Sequence, residues 1–402
     1  MSAELKHTHA VRLIAVGNRI RLQAAISEET FAAELARVVD LAVPHLATDR
    51  PNLVALGELL GLPLALSGKR GVLSRHMRRS SVAIALLAPG HLWRMLDYRR
   101  TFPGISLVRA LLLALTDTLY RPFTETLSRL ASQHQIYLSA TTITPHVFCS
   151  TDPGKLRRFG RKQVGRVYLP VDAGVYNTGF LWGPDGSLLG TTDKVFLTES
   201  ERTTLDLTPG KLAEVRPFET EMGKVGIAIS LDAFTPEYLR CLDEQGTRIV
   251  LQNDANDAAW AGPSQTCAWQ PQEWLNSVLG CLQTEYTHLL FNVCPMQVGN
   301  FFDILFDGQS SITMKSTDVP DPRFNFIGND GFYHTATGQP FTGRVLALAP
   351  WSSHDPGDAN PLLSLAERRA LLVHAGEQLR PGGTRANQYP EAVIWADVEV
   401  PV

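Results

Sequence analysis

The chain has 402 residues, of which 44% are hydrophobic and 19% charged, and its formal net charge is −3 at pH 7. This composition is typical of a globular protein, and so small a charge excludes a general attraction to nucleic acid or anionic membrane. The five cysteines form no C-x-x-C pair, so they indicate neither a disulfide framework nor a zinc site. We therefore expect a soluble, cytoplasmic protein without a cofactor or metal, whose cysteines are buried as small apolar side chains. No segment reaches the roughly 18 apolar residues of a transmembrane span.

The first part of the chain predicts a strand at Val11 to Asn18, a helix near Glu28 to Val43, and a strand at Asn52 to Leu56. The helix is indicated by apolar residues at helical spacing, and Pro44 follows it. The second strand ends just before Glu58. A strand, a helix and a strand in this order form a βαβ unit, which predicts a sheet covered by helices.

A long segment at about 62–122 interrupts this alternation. It contains the basic run GKRGVLSRHMRRSS and two apolar runs that are too short to cross a bilayer. We interpret it as an excursion of loops and amphipathic helices. The basic run lacks interleaved aromatic residues, so it is typical of a solvated face rather than a nucleic-acid site. The apolar runs are expected to pack on the core, a subunit contact or a lid.

From Phe123 the alternation resumes with the helix TETLSRLASQH and the strand IYLSATTIT. The stretch VYNTGFLW, GPDGS, LLGTTDKVFL predicts a hairpin around a Pro-Asp-Gly turn, with Lys194 on its second strand. A strand over Gly223 to Ser230 precedes a helix, for which Thr235 is the expected N-cap. Further strands and helices continue to AVIWADVEV, so we expect a single domain over residues 1–402.

Searches for common functional motifs narrow the possible chemistry. The sequence has no phosphate-binding glycine loop, no H-E-x-x-H motif, and no nucleophile-elbow glycines around Ser230. What remains is a carboxylate, an amine and a hydroxyl: Glu58, Lys194 and Ser230. Each lies on a predicted strand or at its end, and the ends of strands are where open α/β folds bind ligands.

The surroundings of these three residues resemble the motifs of the nitrilase (carbon-nitrogen hydrolase) superfamily. The matching segments are LVALGE at Glu58, TDKVFL at Lys194, and GIAISLDAFTPEYLR around Ser230. Glu201 and Arg202 follow the lysine at the family's spacing, and later segments FNVCPMQVGN and FDGQSSI are also similar. The resemblance therefore extends from about Val11 to the last strand.

The resemblance implies a four-layer α-β-β-α sandwich of two mixed sheets, and commonly a homo-oligomer. It also implies a reaction in which a cysteine thiolate attacks a nitrile or amide carbon. A glutamate then acts as general base and acid, and a lysine stabilises the tetrahedral intermediate. By position, Glu58 and Lys194 take the last two roles.

Ser230 occupies the position of the nucleophilic cysteine, and a serine hydroxyl is a much weaker nucleophile than a thiol at neutral pH. Gly57 also replaces a usual proline, and Leu231 replaces a common aromatic residue. Three interpretations of the serine are open. It is an engineered replacement in an active amidase, a natural loss of the nucleophile, or a working serine activated by Glu58 and Lys194.

Four other residues are candidates for supporting roles. Glu201 is either a structural salt-bridge partner or a group that orients Lys194. Asp232 is expected to accept hydrogen bonds from backbone N–H groups at the turn before the helix. Leu231 and Asn253 are candidate substrate contacts, although an asparagine such as Asn253 equally often caps a turn.

Two functions follow. The first is a hydrolase of a small amide or N-carbamoyl compound, with nitriles less favoured, whose activity is attenuated or reworked around Ser230. The second is a non-catalytic pseudoenzyme that binds a small ligand or serves as a partner subunit. The substrate is not predictable from the motifs, because they do not cover the excursion at 62–122.

Overall fold

The computed structural model describes residues 8–160, 164–258, 260, 270–317, 333–334, 340–350, 370, 374 and 389–401. The strands are β1 Thr8–Gly17, β2 Arg19–Ile20, β3 Asn52–Leu56, β4 Tyr137–Thr144, β5 Val147–Ser150, β6 Val167–Pro170, β7 Tyr176–Trp182, β8 Leu188–Asp193, β9 Phe218–Thr220, β10 Gly223–Ile227, β11 Ile249–Leu251, β12 Phe291–Cys294, β13 Val298–Phe301, β14 Ile304–Phe306, β15 Ser311–Met314, β16 Tyr333–His334, β17 Pro340–Phe341, β18 Arg344–Leu348 and β19 Ala392–Pro401. The α-helices are α1 Glu28–Asp40, α2 Lys69–Ser74, α3 Ser80–Thr101, α4 Leu107–Ala114, α5 Thr116–His134, α6 Pro153–Phe159, α7 Glu199–Thr203, α8 Pro236–Glu244 and α9 Gln270–Val278.

Two six-stranded sheets form the centre of the molecule. The first has the strand order β19-β1-β3-β4-β7-β8 and the second the order β18-β15-β12-β11-β10-β9. The middle strands β1, β3 and β4 are parallel, as are β10, β11 and β12, whereas the outer neighbours are antiparallel. Both sheets are therefore mixed, and the predicted βαβ unit at the start of the chain is present.

The sheets pack face to face, and helices cover their outer faces. Along β1, Leu13 and Ala15 lie in the core between the sheets, whereas Ile14 and Val16 face α1 and α5. This alternation, buried on both sides, explains why the strand has an almost continuous apolar sequence. Helix α8 covers the second sheet through Tyr238 and its neighbours. The predicted four-layer α-β-β-α architecture is confirmed.

The segment after Glu58 is mostly helical. A 3₁₀ turn at Leu62–Leu66 leads into α2, α3 and α4, and α5 then returns the chain to β4. Helix α5 begins at Thr116, well before TETLSRLASQH, and continues through Pro122. Most of the basic run is exposed, but Arg75 is buried, and its guanidinium donates to the backbone oxygens of Ala25 and Leu66.

One local expectation holds in position only, and another is wrong in part. Thr235 is the N-cap residue of α8, as expected, but its side chain makes no capping hydrogen bond, because its hydroxyl donates to the backbone oxygen of Leu231. Cys149 is exposed rather than buried, while Cys281 and Cys294 are buried as expected. Cys267 lies outside the described residues. None of the helices in the described part of the chain is long and apolar enough to cross a membrane.

Candidate active site

Strands from both sheets bring the predicted residues to one cavity. Glu58 follows β3, Lys194 follows β8, and Ser230 lies three residues after β10. All three line the same cavity, at one end of the paired sheets. Two backbone hydrogen bonds hold the strand ends together, from Glu58 N to Asp254 O at 3.3 Å and from Ser230 N to Asn253 O at 3.1 Å.

Lys194 is the centre of a buried ion cluster. Its Nζ lies 2.9 Å from Glu58 Oε1 and 2.9 Å from Glu201 Oε2. The relative exposures are 1% for Lys194, 3% for Glu58 and 6% for Glu201. Because desolvated charges are costly unless they are paired and hydrogen-bonded, the three side chains depend on one another. Glu201 therefore both pairs with Lys194 and orients it.

Asn177 completes this cluster, and the sequence did not indicate it. Its Nδ2 donates to Glu58 Oε1 at 2.7 Å and to Glu201 Oε1 at 2.9 Å, which fixes the two carboxylates relative to each other. Asn177 lies on β7, and its backbone oxygen accepts a hydrogen bond from Lys194 N at 2.8 Å. The hairpin register therefore places it opposite the lysine.

The surroundings shift the pKa values of the two glutamates in opposite directions. Burial raises the pKa of Glu58 to about 8, although the Lys194 ammonium opposes the shift. Burial also acts on Glu201, but Lys194, Asn177 and the backbone N–H of Thr198 outweigh it and hold the pKa of Glu201 below its ordinary value. Glu201 is thus a permanent carboxylate, and Glu58 is the group that can exchange a proton near neutral pH.

Lys194 itself remains charged. Burial alone would lower the pKa of its ammonium, but Glu58 and Glu201 outweigh that effect and raise the pKa above its ordinary value. An ammonium that keeps its proton at neutral pH cannot act as a general base. It can stabilise negative charge that develops beside it.

Asp232 joins the turn at Ser230 to the loop after Lys194. Its buried carboxylate accepts hydrogen bonds from the backbone N–H groups of Val195 and Phe196, and from that of Ile229. Burial raises the pKa of Asp232 to about 7, against the effect of these hydrogen bonds. Ser230 follows a strand of one sheet, and Lys194 follows a strand of the other. Asp232 therefore holds the two residues together across the interface between the sheets.

Ser230 has an unusual backbone conformation. It is the first residue of the 3₁₀ turn Ser230–Phe234, its side chain is half-buried, and its φ is +47°. The left-handed region is unfavourable for residues other than glycine and is often retained at functional sites. The sequence around Ser230 lacks elbow glycines, yet the serine occupies a sharp strand-to-turn position that presents its hydroxyl to the cavity.

Asp254 is a second residue that the sequence did not indicate. It is 4% exposed, and its carboxylate accepts a hydrogen bond from Gln252 Nε2 at 3.3 Å. Burial raises the pKa of Asp254, and the nearby Ser230 side chain opposes that shift. Asp254 directly follows the candidate Asn253, and neighbouring side chains on extended backbone point to opposite sides.

The structure places the two candidate substrate contacts, Asn253 and Leu231, outside the described lining of the cavity. Asn253 is fully buried, with Nδ2 donating to Leu56 O at 2.5 Å. Neither Asn253 nor Leu231 is among the described residues that line the cavity, so their role in substrate contact stays a prediction. The glycine at position 57 has a steric explanation. A Cβ atom at this position would lie 2.8 Å from the Cβ atom of Gln297, which is too close.

The cavity has a volume of about 380 Å³. Its walls come mainly from five segments, residues 59–66, 80–87, 108–115, 198–205 and 301–306, and most of the lining side chains are apolar. The first three belong to the excursion, which therefore forms a roof over the reactive groups. Among the described residues, no cluster of three or more His, Cys, Asp or Glu side chains could hold a metal ion.

Replacing Lys194 with methionine tests the ion cluster. Lys194→Met leaves the buried Glu201 carboxylate without its cation, so we expect the free energy of unfolding at pH 7 to fall by about 3 to 5 kcal/mol. The loss should shrink toward pH 5, where protonation neutralises Glu201 in the variant. Urea unfolding of both proteins measures this. Lys211→Met is the control. Lys211 pairs with Glu214 in solvent, so its removal should leave the free energy of unfolding unchanged. Equal stability of Lys194→Met and the parent protein would contradict the cluster.

The strained backbone at Ser230 gives a second expectation. Glycine adopts positive φ without the Cβ penalty, so Ser230→Gly should be more stable than Ser230→Ala by about 1 kcal/mol. Thermal unfolding of the two variants under one buffer condition measures the difference. A more stable alanine variant would show that Ser230 is not strained.

Comparison with known proteins places the chain. The family model for carbon-nitrogen hydrolases matches residues 103–312, which is slightly more than half of the chain. Comparison with curated proteins gives no match.

Among solved structures, the chain is similar to a carbon-nitrogen hydrolase from Helicobacter pylori G27, with 16% identity, a TM-score of 0.47, and coverage of 77% of this chain and 83% of that one. It is similar to Saccharomyces cerevisiae Nit3, a member of branch 10 of the nitrilase superfamily, with 16% identity, a TM-score of 0.46, and coverage of 78% and 86%. A cysteine-to-serine mutant of the amidase from Nesterenkonia AN1 matches with 15% identity, a TM-score of 0.43, and coverage of 78% and 86%. The match of the family model over more than half of the chain shows that this chain belongs to the carbon-nitrogen hydrolase family.

Proposed function

We propose that the protein hydrolyses the carbon-nitrogen bond of a small amide, with Ser230 as a working nucleophile. The observation that carries the proposal is the split between Glu58 and Glu201. One carboxylate neutralises Lys194, while burial gives the other a pKa of about 8. A general base of that pKa is much stronger than an ordinary carboxylate, and a serine needs a stronger base than a cysteine does.

The proposed reaction has two stages. Ser230 Oγ attacks the amide carbon as its proton moves to the Glu58 carboxylate, and the Lys194 ammonium stabilises the resulting oxyanion. The carbon-nitrogen bond then breaks, the leaving amine takes the proton from Glu58, and an acyl ester remains on Ser230. Water attacks this ester and gives its proton to Glu58. The acid leaves as Ser230 recovers its proton, so one amide and one water yield one acid and one amine.

Asp254 has a positioning role in this scheme. Its buried carboxylate lies near the Ser230 side chain, whose hydroxyl opposes the rise in the pKa of Asp254, and this proximity favours one rotamer of the serine. Lys194 is not the base, because its environment raises its pKa. Of the three interpretations of the serine, the working nucleophile therefore has the most support, with Glu58 as its activating group.

The charges of the site bear on the substrate. Besides Lys194, whose ammonium is paired with two carboxylates, the described residues that line the cavity include no cation, and Asp257 and Asp303 add negative charge. A substrate that carries a carboxylate, such as an N-carbamoyl amino acid, would be repelled. Neutral amides and uncharged N-carbamoyl compounds fit the site better.

A binding protein without turnover is the second candidate, and the serine at the nucleophile position is the observation that favours it. A pseudoenzyme would retain the fold and the cavity. It would not need a general base with a raised pKa, so the state of Glu58 favours the enzyme. A homo-oligomer and a cytoplasmic location remain predictions.

Turnover separates these candidates. We expect ammonia release from neutral amides by the protein as it stands, and a loss of at least about 100-fold in kcat for Glu58→Gln, because general-base catalysis is removed. Ser230→Cys should be active as well. Asp254→Asn should lower kcat while leaving KM nearly unchanged, because it disturbs the serine rotamer rather than the cavity. Activity only in the cysteine variant would refute the working serine, and silence in both would favour the binding protein.

The pKa of Glu58 also predicts the pH dependence. The attacking step needs the deprotonated carboxylate, so kcat/KM should rise with pH and level off above about 8. A pH series with butyramide on the parent protein measures this limb. Glu201→Gln removes a negative charge beside Glu58 and should therefore lower the pKa of Glu58. The rise of kcat/KM with pH should then occur at lower pH. A profile that is flat from pH 6 to 9 in both proteins would exclude Glu58 as the base.

A further inference from the structure

We propose that the cavity takes amides whose acyl group is a medium-length hydrocarbon chain, with the carbonyl carbon at Ser230 and the chain under the helical roof. This inference rests on the proposed function, since it names the substrate class of the same site. Its basis is the roof and the opposite wall of the cavity, which family motifs do not cover.

Apart from Ser80 at the start of α3, the lining residues of the roof are apolar. Helix α3 contributes Ala83 and Leu87, which are buried one turn apart on the same face. Helix α4 contributes Leu111 and Leu112, and Leu115 follows it, all of them buried. A surface of this kind hydrogen-bonds no polar substituent, so the part of the substrate beneath it must be a hydrocarbon.

The opposite wall is built from phenylalanines. Phe301, Phe302 and Phe306 line the cavity from the β13–β14 hairpin, and each is less than one-tenth exposed. Strand β13 is held by its parallel pairing with β2, so this wall has support from outside the excursion. Two independent segments of the chain therefore present apolar side chains to the same space.

The size and the charges of the cavity agree with an uncharged chain. About 380 Å³ is far more than a short amide such as acetamide fills, and lies in the usual range for small-molecule sites. Asp303 lines the cavity, but its carboxylate is engaged with the backbone N–H of Ser80 at the start of α3, at 2.8 Å. The cavity is thus polar at the ion cluster and apolar along the roof.

A chain-length series tests the proposal. Acetamide, butyramide, hexanamide, octanamide and decanamide are compared as substrates of the parent protein, and as ligands of Ser230→Ala by calorimetry. We expect kcat/KM and affinity to rise by about fourfold for each added CH₂ until the cavity is filled. Ala65→Phe places a large side chain in the cavity and should end the rise at a shorter chain.

Two glutamate substitutions on α3 form a matched pair, one in the cavity lining and one outside it. Ile84→Glu puts a carboxylate at the cavity wall and should flatten the series, whereas Val82→Glu changes a side chain on the same helix that is 44% exposed and outside the lining. The Val82 variant should keep the series of the parent protein. Circular dichroism and Tm of both variants show whether each one folds.

The outcomes distinguish this inference from the proposed function. Turnover of every amide with no dependence on chain length would overturn the hydrocarbon-chain inference and leave the hydrolase intact. Amides could instead bind Ser230→Ala tightly, with an affinity that depends on chain length, while the parent protein shows no turnover. That result would support the hydrocarbon-chain inference and overturn the proposed hydrolase function. A series that is the same in Ile84→Glu and in the parent protein would also overturn the inference, because the roof would then not contact the chain.

Discussion

A single buried ammonium organises this molecule. Lys194 lies at the end of β8 and must be neutralised where it is, because an unpaired charge in the interior is costly. Its partners come from distant parts of the sequence: Glu58 after β3, Glu201 at the start of α7, and Asn177 on β7 between the two carboxylates. The cluster forms only when these four elements are correctly packed, so the fold and the reactive site depend on the same contacts.

The cluster also separates two carboxylates that are otherwise alike. Both are buried within hydrogen-bond distance of one lysine, but Glu201 accepts additional hydrogen bonds from Thr198 N and Thr198 Oγ1, and its pKa falls, while the pKa of Glu58 rises. One carboxylate is thereby fixed as the counter-ion and the other is free to exchange protons. This division provides a serine with a stronger base than a thiol requires.

The residue motifs predicted Glu58, Lys194 and Ser230 as candidates, because each lies near a strand end that local sequence patterns indicate, and the structure brings all three to one cavity. Asn177 was not predictable from the hairpin alone. A register shift between Leu181 and Trp182 moves the pairing by one residue, and counting back from the turn would place Asp193 opposite it. The cavity walls were also not predictable from the sequence. The apolar residues of the excursion indicate which segments are helical, but not which helix faces lie opposite Phe301 and Phe302.

A working serine must form a covalent acyl intermediate on Ser230, which mass spectrometry can detect. An activated ester with a medium-length acyl chain is mixed with the protein and quenched in acid within the first turnover. We expect one acyl mass added per chain, mapped to the peptide that contains Ser230, and no such mass in Ser230→Ala. Product release without any acyl mass on that peptide would rule out Ser230 as the nucleophile, as would an adduct that survives in the Ser230→Ala variant.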